Sequence, residues 1–119
     1  MYISENDKAA IRQIIEQQLQ ALQTNDAEIV LSLMSPTIQG KFEPRDFMAM
    51  VQNKYHAIIK PRSIMFRGFT LVNNFPALIS MIMDQRGELI QVIFVVQHQQ
   101  DYSWRIHGYE LLTADEKIV

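Results

Sequence analysis

Cysteine is absent from this chain of 119 residues, which removes a disulfide framework, a thiolate metal site and a cysteine nucleophile together and fits a reducing compartment. No apolar run reaches the roughly 20 residues needed to span a bilayer as a helix. The first eight residues show no basic region followed by an apolar block and a small-residue cleavage site, so the expected location is the cytoplasm, with no membrane partner. Glycine and proline are sparse, four of each, and no glycine-rich turn follows a strand-like run. A phosphate or dinucleotide cradle of the standard type is thereby excluded. Neither sign of charge predominates: eleven Lys and Arg against thirteen Asp and Glu leave a net charge of −2. The basic residues are scattered rather than gathered into a stripe, so nucleic acid is not an expected partner.

What is present is an ordinary globular composition, 48% apolar and 20% charged, in a length that supports one core and not two. Residues 1–119 read as a single domain. Ser4 and Asp7 form a helix-start signal, and Ile11, Ile14, Ile15, Leu19 and Leu22 then recur at spacings of three and four. Arg12, Gln13, Glu16, Gln17, Gln20 and Gln23 fill the opposite side. The spacing predicts an amphipathic helix of about five turns ending near Thr24-Asn25. Asp26 is placed to cap a second, shorter helix through about Met34, which Ser35-Pro36 stops; capping is a sufficient reason for this carboxylate, ahead of catalysis. Thr37 to Glu43 has no clear period and reads as a loop or short edge strand. Pro44 opens a third helix, carrying Phe47, Met48, Val51 and Tyr55, that ends before Pro61.

After Pro61 the period changes to two. Four strands are predicted at about residues 62–72, 77–84, 88–97 and 102–112, separated by turns at Asn73-Asn74-Phe75-Pro76, Asp84-Gln85-Arg86-Gly87 and His98-Gln99-Gln100-Asp101. Short turns favour antiparallel neighbours. The expected fold class is therefore α+β: three N-terminal helices packed on one face of a curved antiparallel sheet of about four main strands.

The two faces of that sheet do not alternate cleanly. Ile90, Val92, Phe94 and Val96 form one set along the third strand, yet Leu89, Ile93 and Val95 share the other with Gln91 and Gln97, and Ile79, Met81 and Met83 repeat the trait beside Leu78 and Ile82. Each such side chain left in water forgoes roughly 1.5 to 3 kcal/mol of burial. A homodimer through the outer sheet face is the expected partner arrangement; the alternative is a sheet that curls until it buries both faces within one subunit.

The order of elements, the Asn25-Asp26 break and the closing Trp104-Arg105-Ile106 resemble the NTF2-like superfamily, and Ser35-Pro36-Thr37-Ile38-Gln39-Gly40-Lys41-Phe42, Phe47-Met48-Ala49-Met50-Val51 with Tyr55, Pro61-Arg62-Ser63 and Trp104 to Leu111 resemble a bacterial branch of it known only as a domain of unknown function. The resemblance covers roughly Ser4 to Leu112. It implies a cone of NTF2-like or cystatin-like form, with a curved sheet wrapped around a long first helix. It transfers fold more readily than activity, since the superfamily includes isomerases, dehydratases, polyketide cyclases, transport factors and association domains. The branch supplies no catalytic residues.

In the enzymes of that superfamily an Asp or His set against a Tyr works inside the cone. Here the first helix offers Ile and Leu on its buried side, so one customary wall is apolar. No catalytic residue is assigned. Tyr55 and Arg62 sit where a cone mouth is expected, and an Arg fork there would hold a carboxylate unless it bonds helix-end carbonyls instead. Met65, Gln91, Trp104, Tyr109 and Glu110 complete the candidate pocket or mouth residues. His56, His98 and His107 lack the spacing of a metal site and read as surface histidines, so neither metal nor cofactor is expected. The closing strand carries a fork: strict alternation buries Glu110 as a candidate base, whereas a bulge at His107-Gly108 turns Tyr109 and Leu111 inward and Glu110 outward. Glycine favours the bulge. The functional expectation is a noncatalytic domain that binds an apolar small molecule or a protein partner; a divergent isomerase or cyclase and a purely structural association module are the alternatives.

Overall fold

The structure is a computed structural model that describes residues 3–113. Helix α1 (Glu5–Gln23) starts from a complete capping box, in which Ser4 Oγ accepts the Asp7 amide at 3.0 Å and Asp7 accepts the Ser4 amide at 3.2 Å. Glu5 and Asp7 add negative charge to its first turn. Its end is equally specified. Asn25 takes a left-handed φ of 58°, the Asn25 amide reaches the Leu22 carbonyl at 3.2 Å and the Asp26 amide reaches that of Ala21 at 2.9 Å, the two bonds of a Schellman stop with Asn in the place glycine usually takes. Asp26 then caps α2 (Ala27–Ser32) by accepting the Ile29 amide at 3.2 Å.

Residues expected as a loop or edge strand instead hold a helical turn, α3 (Pro36–Gln39). Pro36 stands at the first helical position, where its missing N–H is not needed, and the Gln39 side chain donates to the carbonyls of Met34 (2.8 Å) and Ser32 (3.2 Å). Four residues are too few to show a period. Pro44 plays the same role for α4 (Pro44–Lys54), which buries Phe47, Met48 and Val51 and passes through Tyr55 into a short 3-10 turn at His56–Ile58.

Strands β1 (Ser63–Val72), β2 (Phe75–Met83), β3 (Leu89–His98) and β4 (Trp104–Thr113) form one antiparallel sheet in the order β1-β2-β3-β4, curved and unclosed. Phe75 and Pro76 belong to β2 and not to the turn before it: Pro76 lies at the strand's start, where a proline is tolerated, opposite Leu71. Asn73 and Asn74 alone make that turn, both at positive φ. The helices lie on one face. Ile11, Ile15 and Leu22 of α1, Val30 of α2 and Val51 of α4 share a core with Leu78, Ile82, Val92, Phe94, Val96 and Ile106 of the sheet.

Two bulges interrupt the ladder, one at Arg67 in β1 and one where β4 carries His107 as an extra residue, so that Val95 faces Gly108 while Val96 faces Ile106. The second reverses the phase of β4: Ile106 and Tyr109 are both buried, and Glu110 is exposed. The same edge of β4 is covered from the helical layer. Ile106 donates to the Leu33 carbonyl at 2.9 Å and accepts from the Ser35 amide at 2.8 Å, a parallel bridge centred on Met34.

The Asp26 cap gives a stability test. Asp26→Ala should lower the unfolding free energy in urea by about 0.5 to 2 kcal/mol, whereas Asp26→Asn, which caps as well, should change it by only a few tenths.

Candidate functional site

Between the helices and the inner face of the sheet, three side chains satisfy one another. The Tyr109 hydroxyl donates to Gln18 Oε1 at 2.6 Å, and the Gln18 amide nitrogen donates to the Val30 carbonyl at 3.2 Å and to Met34 Sδ at 3.1 Å. Tyr109 also approaches Met34 Sδ at 3.5 Å. Gln18 is fully buried on α1, Met34 follows α2, and Tyr109 stands on β4, so the cluster ties both helices to the last strand. Tyr55 and Phe94 flank the phenol, with ring centroids 5.1 and 5.8 Å from it.

Burial raises the Tyr109 pKa well above the ordinary phenol value; the Gln18 hydrogen bond opposes that shift and the neighbouring Tyr55 adds to it. A phenol held neutral in this way has a single proton, already given to Gln18. Among the described residues no Asp, Glu or His bonds to it, and no buried side-chain nitrogen or oxygen lacks a partner. The arrangement is a tether rather than an acid–base pair.

A second contact superficially resembles nucleophilic machinery. Ser35 Oγ lies 2.7 Å from His107 Nδ1, and the His107 ring packs on Phe75 at 5.0 Å. Ser35 is fully buried, however, and among the described residues no carboxylate orients the imidazole. An attacking serine must be reachable by its substrate and its base must be oriented by a third group. The contact pins the bulged residue of β4 to the start of α3. His107 is therefore half-buried and engaged, which corrects the expectation of a surface histidine; His56 and His98 are exposed.

The residues marked out by the sequence fall into separate places. Tyr55 and Tyr109 come together in the interior. Trp104 is buried at the opposite end of the ladder, stacked on its cross-strand partner His98 at 4.3 Å with an interplanar angle of 19°. Met65 is 61% exposed and lies in one cross-sheet row with Met81, Gln91 and Leu112 on the outer face, where Glu110 sits opposite Ile93. Arg62 is exposed at the start of β1. Gln18 is the polar residue that the sequence reading missed, although its position seven after Ile11 and four before Leu22 puts it on the buried stripe of α1. Among the described residues no three His, Asp or Glu side chains gather as a metal site, and no helix is long and apolar enough to cross a membrane.

The buried phenol gives a pH prediction. Its folded pKa is raised, so its contribution to stability is complete below the unfolded-state value of 10.0 and is lost as pH rises beyond it. Ultraviolet titration of the folded protein should show Tyr109 ionising only on alkaline unfolding. Tyr109→Phe should destabilise by about 1 to 3 kcal/mol by leaving a buried Gln18 acceptor unsatisfied.

Neither a curated protein nor a solved structure shows significant similarity to the chain. The profile of one family does match, over residues 4–119. The chain belongs to the family described as "Domain of unknown function (DUF4864)".

Proposed function

We propose that the protein is a noncatalytic association domain of NTF2-like form, acting in the cytoplasm as a homodimer joined through the outer face of its sheet. The observation that carries this reading is the composition of that face. In register, Met65, Met81, Gln91 and Leu112 form one row across all four strands, and Gly68, Ile79, Ile93 and Glu110 form the next. Glu110 is the one charged residue in those rows. Leu89, which pairs with Met83 one row further along, is 47% exposed, and Leu112 is 38% exposed. Ile79, Met81, Met83 and Ile93 remain only half-buried in the single chain, whereas Ala77 and Val95 of the following row are buried, so the described residues cover one end of this face and leave the rest open.

The size of the face supports a second copy as its occupant. Four strands of nine or ten residues, about 4.8 Å apart with a rise of about 3.3 Å per residue, present roughly 600 Å² before side-chain relief is counted. A standard stable interface takes about 800 Å² from each partner. A nearly uncharged, methionine-rich patch of this kind suits an isologous contact across a two-fold axis, where flexible thioethers can adapt to their symmetry-related copies.

The mutually satisfied interior cluster supports the noncatalytic part of the reading. Enzymes working in a cone need a titratable group aimed at open space; here Tyr109 and Gln18 consume each other's hydrogen-bonding capacity, with Met34 closing the remaining side. The same packing argues against the interior as the place where an apolar small molecule binds.

Light scattering at micromolar concentration should give twice the 13.9 kDa chain mass. Ile93→Asp, which sets like charges near each other across a two-fold interface, should return the mass to that of one chain without loss of the far-ultraviolet circular dichroism. A single-chain mass for the unaltered protein would overturn the reading.

A further inference from the structure

A cleft of about 620 Å³ opens between the exit of α4 and the β2–β3 turn, within the 300 to 1,000 Å³ range typical of small-molecule sites. Its floor is apolar, from Ala57 and Ile59 of the 3-10 turn and the residues just after it. Its rim is basic: Lys60 on one side and Arg86 on the other, with His56 and Gln52 completing the helical wall. A guanidinium nitrogen of Arg62 lies 3.8 Å from where a side chain on Gly87 would begin, which puts a third permanent cation next to the Arg86 wall.

The walls are held in place by hydrogen bonds within the turn and from the turn to the helical segment. Gln85 Nε2 donates to the Lys60 carbonyl at 2.6 Å, bolting the turn to the segment that leaves the 3-10 helix. The Asp84 carboxylate is buried and accepts the amides of Arg86 (2.9 Å) and Glu88 (2.8 Å), and Gly87 completes the turn at a φ of 87°. Asp84, which also lines the cleft, thus uses Oδ1 to shape the turn. Glu88 contacts Arg86 at 3.5 Å, an exposed pair of the kind that contributes little and exchanges readily. Among the described residues no ion pair engages Lys60 or Arg62. In a chain with a net charge of −2, two cations on the rim of an apolar floor and a third beside the turn form a local exception.

We infer that this cleft binds a small organic acid with an apolar body, its carboxylate held between Lys60 and Arg86 and its hydrocarbon lying on Ala57 and Ile59. An apolar floor selects against a bare inorganic anion, and a basic rim selects against an uncharged lipid; charge-assisted bonds to both partners together favour a carboxylate. The site shares no lining residue with the outer-face rows, so it stands or falls independently of the dimer.

The test uses the full chain and three probes: octanoate, octanol and inorganic phosphate, followed by amide chemical shifts. Octanoate should give saturable shifts centred on residues 56–60 and 84–88. Octanol and phosphate should each bind at least about tenfold more weakly, each lacking one half of the recognition. The double variant K60Q/R86Q should lose octanoate affinity by about tenfold or more while keeping its thermal midpoint without ligand, and K60R/R86K, which keeps both charges, should retain most of it. Octanol binding as tightly as octanoate, phosphate matching it, undiminished affinity in K60Q/R86Q, or shifts centred elsewhere would each overturn the assignment.

Discussion

β4 carries one residue more than β3 across the stretch from Val95 to Val96, and the extra residue is His107. Because side chains alternate along a strand, this single insertion decides what the second half of β4 contributes to the inside of the domain. With it, Tyr109 points inward and reaches Gln18, and Glu110 joins the outer face opposite Ile93. Without it, a carboxylate would enter a core made mainly of Ile, Leu, Val, Phe and Met, and a buried charge of that sort needs a partner that the helices do not offer. The bulge is stabilised by position as well as by composition: His107 is fastened to Ser35 while the neighbouring backbone of Ile106 pairs with Leu33 and Ser35. The helical layer and the last strand are thus joined twice, at the bulge and at the buried Gln18–Tyr109–Met34 cluster.

Features governed by local chemistry were readable from the sequence. The Ser4 and Asp7 pair, the Asn25-Asp26 stop, the Pro44 helix start and the period-two runs place α1, α2, α4 and all four strands within a few residues of their observed bounds. The glycine at 108 likewise signalled a bulge in the last strand. What the sequence hid falls into two kinds. A four-residue helix such as α3 is shorter than any period that could reveal it. Gln18 was hidden by its type: a glutamine on an apolar stripe is easily read as surface, and its partner Tyr109 is 91 residues away. Ser35 and His107, 72 residues apart, were invisible for the same reason.

The candidate site residues divide along the same physical line. Tyr55 and Tyr109 converge because Tyr55 follows α4 and Tyr109 lies on the inward side of β4, and the core fixes both elements. Met65, Gln91 and Glu110 lie outside because strand phase puts them there, and together with Met81, Ile93 and Leu112 they form a surface nearly free of charge. The interior offers packing, the outer face offers area, and the cleft beside Lys60 and Arg86 offers basic recognition over an apolar floor. The proposed association through the outer face and the inferred ligand cleft together account for all three, and both place recognition outside the interior.

The central claim is that the interior is closed by a satisfied polar cluster whose position depends on the β4 bulge. The most direct measurement is the hydroxyl proton of Tyr109, observed by NMR in water at neutral pH. If the cluster is formed, that proton exchanges slowly enough to be seen and shows a nuclear Overhauser effect to the Gln18 side-chain amide. A Tyr109 hydroxyl that exchanges too fast to detect, with no contact to Gln18, would show an open, hydrated interior and contradict it.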